Sequence, residues 1–183
     1  MDGQFYNDLR APFITSDVAS VTLAATNKAL YPIANVPAMG KDYWWAGKKV
    51  RIELFGRITT AATPGNLTLA LFYGTGADAN GVSIVASAAQ TLIASQTAIS
   101  WRAKFIVHCR STGSAGTLFG WGKAFFGTAV IAAGDFLMPA NTAAVSGACD
   151  LTVAGNVLSV QALRSGSTAE TMQVHDVNVI AMN

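Results

Sequence analysis

The chain has 183 residues, of which 51% are hydrophobic and only 12% are charged, and its formal net charge is +2. This length fits one domain, and the charged share is about half the roughly 25% that is usual in soluble domains. The weak, dispersed positive charge argues against a nucleic-acid partner, and no apolar run reaches the roughly 18 residues of a membrane span.

The N-terminal segment, residues 1–18, is predicted to form an extended arm. It lacks the apolar segment of a secretory signal, so we expect a chain made and assembled in a cytoplasm. Residues 31–47, which are also interrupted by Pro and Gly, are expected to form loops. We therefore predict an arm over 1–18 followed by a single β-sandwich domain over 19–183.

A strict alternation of apolar and polar residues predicts a half-buried strand over residues 50–58. Next comes Thr63–Asn66, where Pro64 and Gly65 match the central positions of a type II turn, the second of which needs a positive φ. Residues 67–73 alternate in the same way. The pattern therefore predicts a β-hairpin.

Residues 74–81 are rich in Gly, Ala and Asn and are predicted to form a flexible loop. Residues 82–98 fit either a helix or strands, and strands are favoured because Ser and Thr are abundant while Glu, Lys and Arg are missing. Residues 101–110 alternate again and predict a long strand whose outer row is basic: Arg102, Lys104, His108 and Arg110.

The remainder of the chain also shows strand patterns. In residues 117–128, aromatic residues alternate with glycines, which indicates bulges or a close approach of backbones. Three more strands are predicted over 151–154, 157–163 and 172–182. The whole pattern predicts an all-β fold, an antiparallel β-sandwich of jelly-roll-like type with about eight to ten strands.

Residues capable of acid-base chemistry are scarce. His108 and His175 belong to no nucleophile or base motif, and Glu53 is expected to form a surface ion pair with neighbouring arginines rather than a glycosidase pair with Glu170. We therefore expect no enzymatic activity, no catalytic residues, no cofactor and no metal site.

Two cysteines, Cys109 and Cys149, are present. Their spacing matches no metal-binding motif, and Cys109 lies in an apolar alternation. Buried reduced thiols are favoured over a disulfide.

The strongest candidate contact site is the aromatic and basic segment formed by Tyr43, Trp44, Trp45, Lys48 and Lys49. Trp and Tyr are frequent hot spots of interfaces, and exposed rings can also stack on sugars. Three interpretations remain open: the rings close one end of the core, they form a subunit interface, or they provide a glycan platform.

Several stretches between residues 43 and 128 resemble small β-rich virion proteins of tailed bacteriophages. They are Tyr43–Ile52, Gly56–Thr60, Thr63–Gly65, Leu67–Leu69, Tyr73–Gly74, Trp101–Arg102 and Gly113–Thr117. The resemblance implies a capsid or tail structural subunit, commonly a jelly roll and often a trimer, without catalytic residues.

The low charge and the resemblance together predict a non-enzymatic virion structural protein. We expect a capsid decoration or minor capsid subunit that forms a homo-oligomer, with a trimer favoured, and that contacts the major capsid protein or other virion proteins. The alternative is a phage tail or fibre domain that binds host-surface glycans through Trp44, Trp45 or the 74–81 loop.

Overall fold

The computed structural model describes residues 17–32, 34, 36–127, 129–140, 146–166 and 169–182. These residues contain no α-helix, and therefore no helix that could cross a membrane. They form the following eleven strands: β1 (Val21–Thr22), β2 (Lys28–Ala29), β3 (Lys49–Thr59), β4 (Asn66–Gly74), β5 (Val82–Ala86), β6 (Gln90–Thr91), β7 (Ile99–Ser111), β8 (Thr117–Phe126), β9 (Asp135–Met138), β10 (Val157–Arg164) and β11 (Thr171–Ala181).

The strands form two antiparallel sheets that share one hydrophobic core. The larger sheet has the order β1-β11-β3-β7-β8-β9, and the smaller has the order β2-β10-β4-β5, with β6 also paired to β4. Apolar side chains from both sheets belong to the same buried cluster. The prediction of an all-β antiparallel sandwich is confirmed.

The winding is jelly-roll-like because the first and last long strands lie side by side. Strand β3 pairs with β11 in the larger sheet, and β4 pairs with β10 in the smaller sheet. The connections β3–β4 and β10–β11 therefore both cross from one sheet to the other. The predicted hairpin between residues 50–58 and 67–73 is wrong: both strands exist, but each is bonded to other partners.

Gly65 in the β3–β4 connection does not adopt the positive φ that a type II turn requires. The glycine is needed for a different reason: an added Cβ would lie 1.5 Å from the carbonyl oxygen of Ser165. Ser165 belongs to the β10–β11 connection and exchanges hydrogen bonds with Asn66. The two crossing connections are therefore in direct backbone contact.

The other local predictions are confirmed in part. The ambiguous segment 82–98 contains β5 and β6 and no helix. The strand predicted over 151–154 is wrong, because these residues form a bend and a turn. The loop at 74–81 is fastened to the sheet: Asp78 accepts hydrogen bonds from Lys28 and the backbone of Ala29, and Gln161 bonds the backbone of three loop residues.

Most of the predicted N-terminal arm, residues 1–16, lies outside the described residues. Its last two residues lie against β11. The backbone N–H of Val18 donates to Val174 at 3.1 Å, and a carboxylate oxygen of Asp17 lies 2.6 Å from Nδ1 of His175.

Strand β8 turns its glycines inward and three of its four aromatic side chains, Phe119, Trp121 and Phe125, outward, while Phe126 is buried. Gly120 and Gly122 are buried in the sandwich, and a Cβ at Gly120 would lie 2.6 Å from a methyl carbon of Ile84 on β5. The two sheets can approach closely here because β8 has no inward side chain at these positions. The three outward rings therefore lie on the outer face of the larger sheet.

Candidate functional site

Trp44 lies inside the molecule. It is buried, and its indole makes edge-on contacts with Tyr43 and Tyr73, with ring centroids 5.2 Å and 6.1 Å apart. The indole belongs to the buried hydrophobic cluster that the two sheets share. A buried ring of this kind offers no face to a sugar.

Lys48 is held between two aromatic rings. Its Nζ lies 4.0 Å from the ring centroid of Tyr43 and 3.8 Å from that of Trp45. A tight turn produces this arrangement: Gly47 has a φ of +97°, and the Lys48 N–H donates to the carbonyl of Trp45 at 3.0 Å. Burial lowers the pKa of Lys48 to about 8, because desolvation disfavours the ammonium form.

Trp45 and Lys49 reach the surface from the same segment. Trp45 is 39% exposed, and one region of its ring is covered by Lys48. Lys49 begins β3 and lies opposite His108 of β7 on the outer face of the larger sheet. Desolvation lowers the pKa of His108, and the charges of Arg110 and Lys49 lower it further. The five candidate residues thus divide into a buried pair, Trp44 and Lys48, and three residues nearer the surface.

The outer face of the larger sheet carries most of the positive charge of the chain. Seven of the twelve Lys and Arg residues lie there: Lys49, Arg51, Arg57, Arg102, Lys104, Arg110 and Lys123. Three carboxylates, those of Glu53, Asp135 and Asp176, lie on the same face. This confirms the basic outer row predicted on β7 and extends it across neighbouring strands.

Ion pairs neutralise part of this charge. Glu53 lies 3.4 Å from Arg51 and 3.7 Å from Lys104, and Asp135 lies 2.5 Å from Lys123. Glu53 therefore forms the expected surface ion pair, although its partners are Arg51 and Lys104.

Aromatic side chains alternate with these charges. The guanidinium carbon of Arg102 lies 4.5 Å from the ring centroid of Phe125, and that of Arg110 lies 4.5 Å from the centroid of Phe119. Cation–π contacts of this kind hold each guanidinium over a ring. They leave the planar donors of the arginines at the surface.

A groove of about 420 Å³ crosses this face. Its lining includes Phe55, Arg102, Phe125, Asp176 and Asn178. A second hollow of about 240 Å³ adjoins the first and shares Phe55, Arg102 and Phe125 with it. The sequence did not predict this groove, because its walls come from four strands and the register between strands cannot be read from a local pattern. The alternation on β7 was the only sequence signal that pointed to it.

Glu53 lines this groove, whereas Glu170, the histidines and the cysteines do not. His175 lies beside Asp17, and Glu170 is buried, with Oε1 accepting the N–H of Gly65 at 3.1 Å. Both thiols, Cys109 and Cys149, are buried, unpaired with each other, and have raised pKa values because of desolvation. Within the described part of the chain, no group of three potential metal ligands comes together.

No protein-family model matches this sequence, and no curated protein matches it. Among solved structures, the fold is similar to the crystal structure of the botulinum neurotoxin serotype C1 binding domain, with 11% sequence identity and a TM-score of 0.28. The match covers 73% of this chain and 33% of that chain, so this chain spans about a third of its length. A TM-score of this size carries no argument about function.

Proposed function

We propose that this chain is a non-enzymatic structural subunit of a tailed-phage virion, a capsid decoration or minor capsid protein assembled in the host cytoplasm. Its role is to stabilise the particle through contacts between subunits. Two observations support this role. Stretches between residues 43 and 128 resemble phage virion proteins, and large apolar side chains on β8 and β9 point outward.

The observation that carries the proposal is the exposed pair Trp121 and Leu137. Trp121 on β8 is 45% exposed and Leu137 on β9 is 68% exposed. The register pairs Lys123 with Leu137, so Trp121 lies diagonally next to Leu137 on the same face. We call these two residues the apolar corner. Exposed aromatic and aliphatic groups of this size typically mark contact surfaces.

The partner that we assign to the apolar corner is a second copy of the chain. Strand β9 is the last strand of its sheet among the described residues. Only 12% of the residues are charged, which is few for the surface of a monomer. Closed cyclic symmetry is the usual form of such homo-oligomers, and a trimer is favoured by the phage resemblance. Other faces remain for contact with the major capsid protein.

Light scattering of the purified full-length chain tests the oligomer. We expect a multiple of the monomer mass for the wild type and the monomer mass for a Trp121→Ser, Leu137→Ser double variant with an unchanged melting temperature. Ile93→Ser, which alters an exposed apolar residue outside the larger sheet, is the matched control and should keep the oligomeric mass. A monomeric wild type, or an oligomeric double variant, would contradict the assignment.

The place in the virion needs a separate measurement. Quantitative mass spectrometry of purified phage particles should find the chain in a copy number that matches a symmetric set of shell positions. Absence of the chain from intact particles would overturn the virion assignment, whatever its oligomeric state.

The alternative function is glycan binding by a tail or fibre domain. The residues first predicted to bind the glycan are poorly placed to do so. Trp44 is buried, Lys48 covers part of Trp45, and the 74–81 loop is fastened by Asp78 and Gln161. A saccharide would need another surface of the molecule.

A further inference from the structure

A row of three side chains crosses the outer face of the larger sheet: Phe55 on β3, Arg102 on β7 and Phe125 on β8. The register places them directly opposite one another, because Phe55 pairs with Arg102 and Arg102 pairs with Phe125. The 420 Å³ groove and the adjoining 240 Å³ hollow both include this row. The larger volume falls within the range of about 300–1,000 Å³ that is common for small-ligand sites.

Two cations, Arg102 and Lys104, line this groove together with the carboxylates of Glu53 and Asp176. Lys104 and Arg51 are engaged by Glu53, and Lys123 is engaged by Asp135, whereas Arg102 contacts only the ring of Phe125 among the interactions seen in the described residues. Its guanidinium is exposed and presents a planar fork of donors, which matches a carboxylate with two parallel hydrogen bonds.

The opposite wall of the groove provides hydrogen-bond acceptors. The Nδ2 of Asn178 donates to one carboxylate oxygen of Asp176 at 2.9 Å, which orients the pair. The second Asp176 oxygen and the Asn178 amide oxygen are suited to accept hydroxyl groups. Between these acceptors and Arg102 lies Phe55, which is 44% exposed and offers an apolar ring face.

From this arrangement we propose that the groove binds an acidic saccharide, a sugar that carries a carboxylate. The sugar ring packs on Phe55, its carboxylate binds Arg102, and its hydroxyl groups bond Asp176 and Asn178. This site is separate from the apolar corner and does not depend on the proposed oligomer.

The charge pattern selects this ligand over other anions. A nucleic-acid backbone carries regularly spaced phosphates, and several of them would meet the carboxylates of Glu53, Asp135 and Asp176, whereas a sugar can place one carboxylate at Arg102 and turn its hydroxyl groups toward Asp176. An acidic peptide would satisfy Arg102 but would supply no set of hydroxyl groups for Asp176 and Asn178. A sugar with a single carboxylate matches both walls.

The test is a titration of the ¹⁵N-labelled full-length chain with methyl galacturonide, a sugar that carries one carboxylate, followed by amide chemical shifts. We expect saturable shifts in the millimolar range, confined to the strands that line the groove. The methyl ester of this sugar keeps the ring but loses the charge, and it should bind at least about tenfold more weakly, since a charge-assisted pair of hydrogen bonds is lost.

Matched variants locate the site. Arg102→Gln and Phe55→Ala should each weaken the binding of methyl galacturonide by about tenfold, since one loses the carboxylate contact and the other the packing face. Arg110→Gln is the control: Arg110 lies on the same strand and also sits 4.5 Å over a phenylalanine ring, but outside the groove. It should bind as the wild type does, within about twofold.

Three results would overturn the proposal. They are the absence of saturable binding, an equal loss in Arg110→Gln, and equally tight binding of a hexaglutamate peptide. Equally tight binding of the peptide would assign the groove to acidic peptides. An equal loss of binding in Arg110→Gln would indicate that the face attracts anions without a defined site. All three variants alter exposed or half-exposed side chains, and thermal melting monitored by circular dichroism verifies that each remains folded.

Discussion

Lys48 is a charged residue that the fold has enclosed between the rings of Tyr43 and Trp45. The attraction of the ammonium to the ring faces favours the charged form, whereas loss of water disfavours it. Desolvation is the stronger effect and lowers the pKa to about 8. The side chain therefore remains largely protonated at neutral pH, in a place where charge is costly.

This pKa predicts an unusual dependence of stability on pH. Between about pH 8 and 10.5 the unfolded chain keeps the Lys48 proton while the folded chain loses it. The unfolded state then binds more protons, so Lys48 makes the free energy of unfolding rise with pH, by at most about 1.4 kcal/mol per pH unit. Lys48→Met should remove this rise.

Urea denaturation across this pH range checks the prediction. Buried tyrosines and thiols act in the opposite direction, because burial raises the pKa of Tyr73, Cys109 and Cys149. Only the difference between wild type and variant isolates Lys48. Lys49→Met, at the adjacent exposed position, is the control, and identical pH profiles for Lys48→Met and wild type would refute the argument.

The segment from Tyr43 to Lys49 shows what single residues reveal in a sequence. The composition of this segment identified an aromatic and basic cluster. Which side chains point to the core and which to the surface depends on one backbone feature, the positive φ of Gly47. That turn directs Lys48 back over the rings, while Lys49 continues outward into β3. Spacing alone does not contain this information.

In the middle of strand β8 the small residues face inward and the large ones outward. The inward glycines let β5 of the smaller sheet pack against the β8 backbone, and the rings of Phe119, Trp121 and Phe125 lie on the outer face of the larger sheet. The sequence showed the alternation of glycine and aromatic residues. It did not show which set faced the core, because that depends on the opposing sheet.

A methyl group at Gly120 is therefore predicted to separate the sheets. The new Cβ would lie 2.6 Å from Ile84 and 3.0 Å from Val85, so Gly120→Ala should lower the free energy of unfolding by about 1–3 kcal/mol. Gly40→Ala, where no atom lies within 4 Å of the added carbon, should change it by less than about 0.5 kcal/mol. Chemical denaturation measures both. Equal values would show that β8 and β5 are not closely packed.

Alternation predicted the existence of β3, β4, β7 and β8, since a period of two is a property of one strand. Pairing is a property of two strands, and here the prediction of a hairpin between β3 and β4 was wrong. A proline and a glycine at the connection suggested a tight turn, whereas the connection in fact bridges the two sheets. Local turn chemistry could not distinguish these outcomes, because the decisive contact of Gly65 is with Ser165, far along the chain.

At the scale of the whole molecule, Glu170 joins the two crossing connections. Its Oε1 accepts the Gly65 N–H at 3.1 Å, its Oε2 lies 3.4 Å from Nε of Arg164, and its carbonyl accepts the N–H of Leu23 at 2.8 Å. Its side chain is fully buried. One residue therefore links the N-terminal segment, the β3–β4 connection and the end of β10.

Loss of this carboxylate should destabilise the whole sandwich. Glu170→Ala leaves the nearly buried Arg164 without its acidic partner, so the free energy of unfolding should fall by about 2–4 kcal/mol. Glu53→Ala removes a carboxylate from an exposed ion pair and should cost less than about 1 kcal/mol. Thermal unfolding of the two variants compares them, and similar losses would contradict the linking role of Glu170.

The side-by-side arrangement of β3 with β11 and of β4 with β10 also has a consequence for how the chain is made. Strands β3 and β4 leave the ribosome well before β11 and β10, the strands that become their permanent neighbours. Until then, the nascent polypeptide exposes unsatisfied strand edges to other newly made copies. Folding dominated by such distant pairings typically takes milliseconds to seconds, and here the sandwich can close only after β10 and β11 have been made.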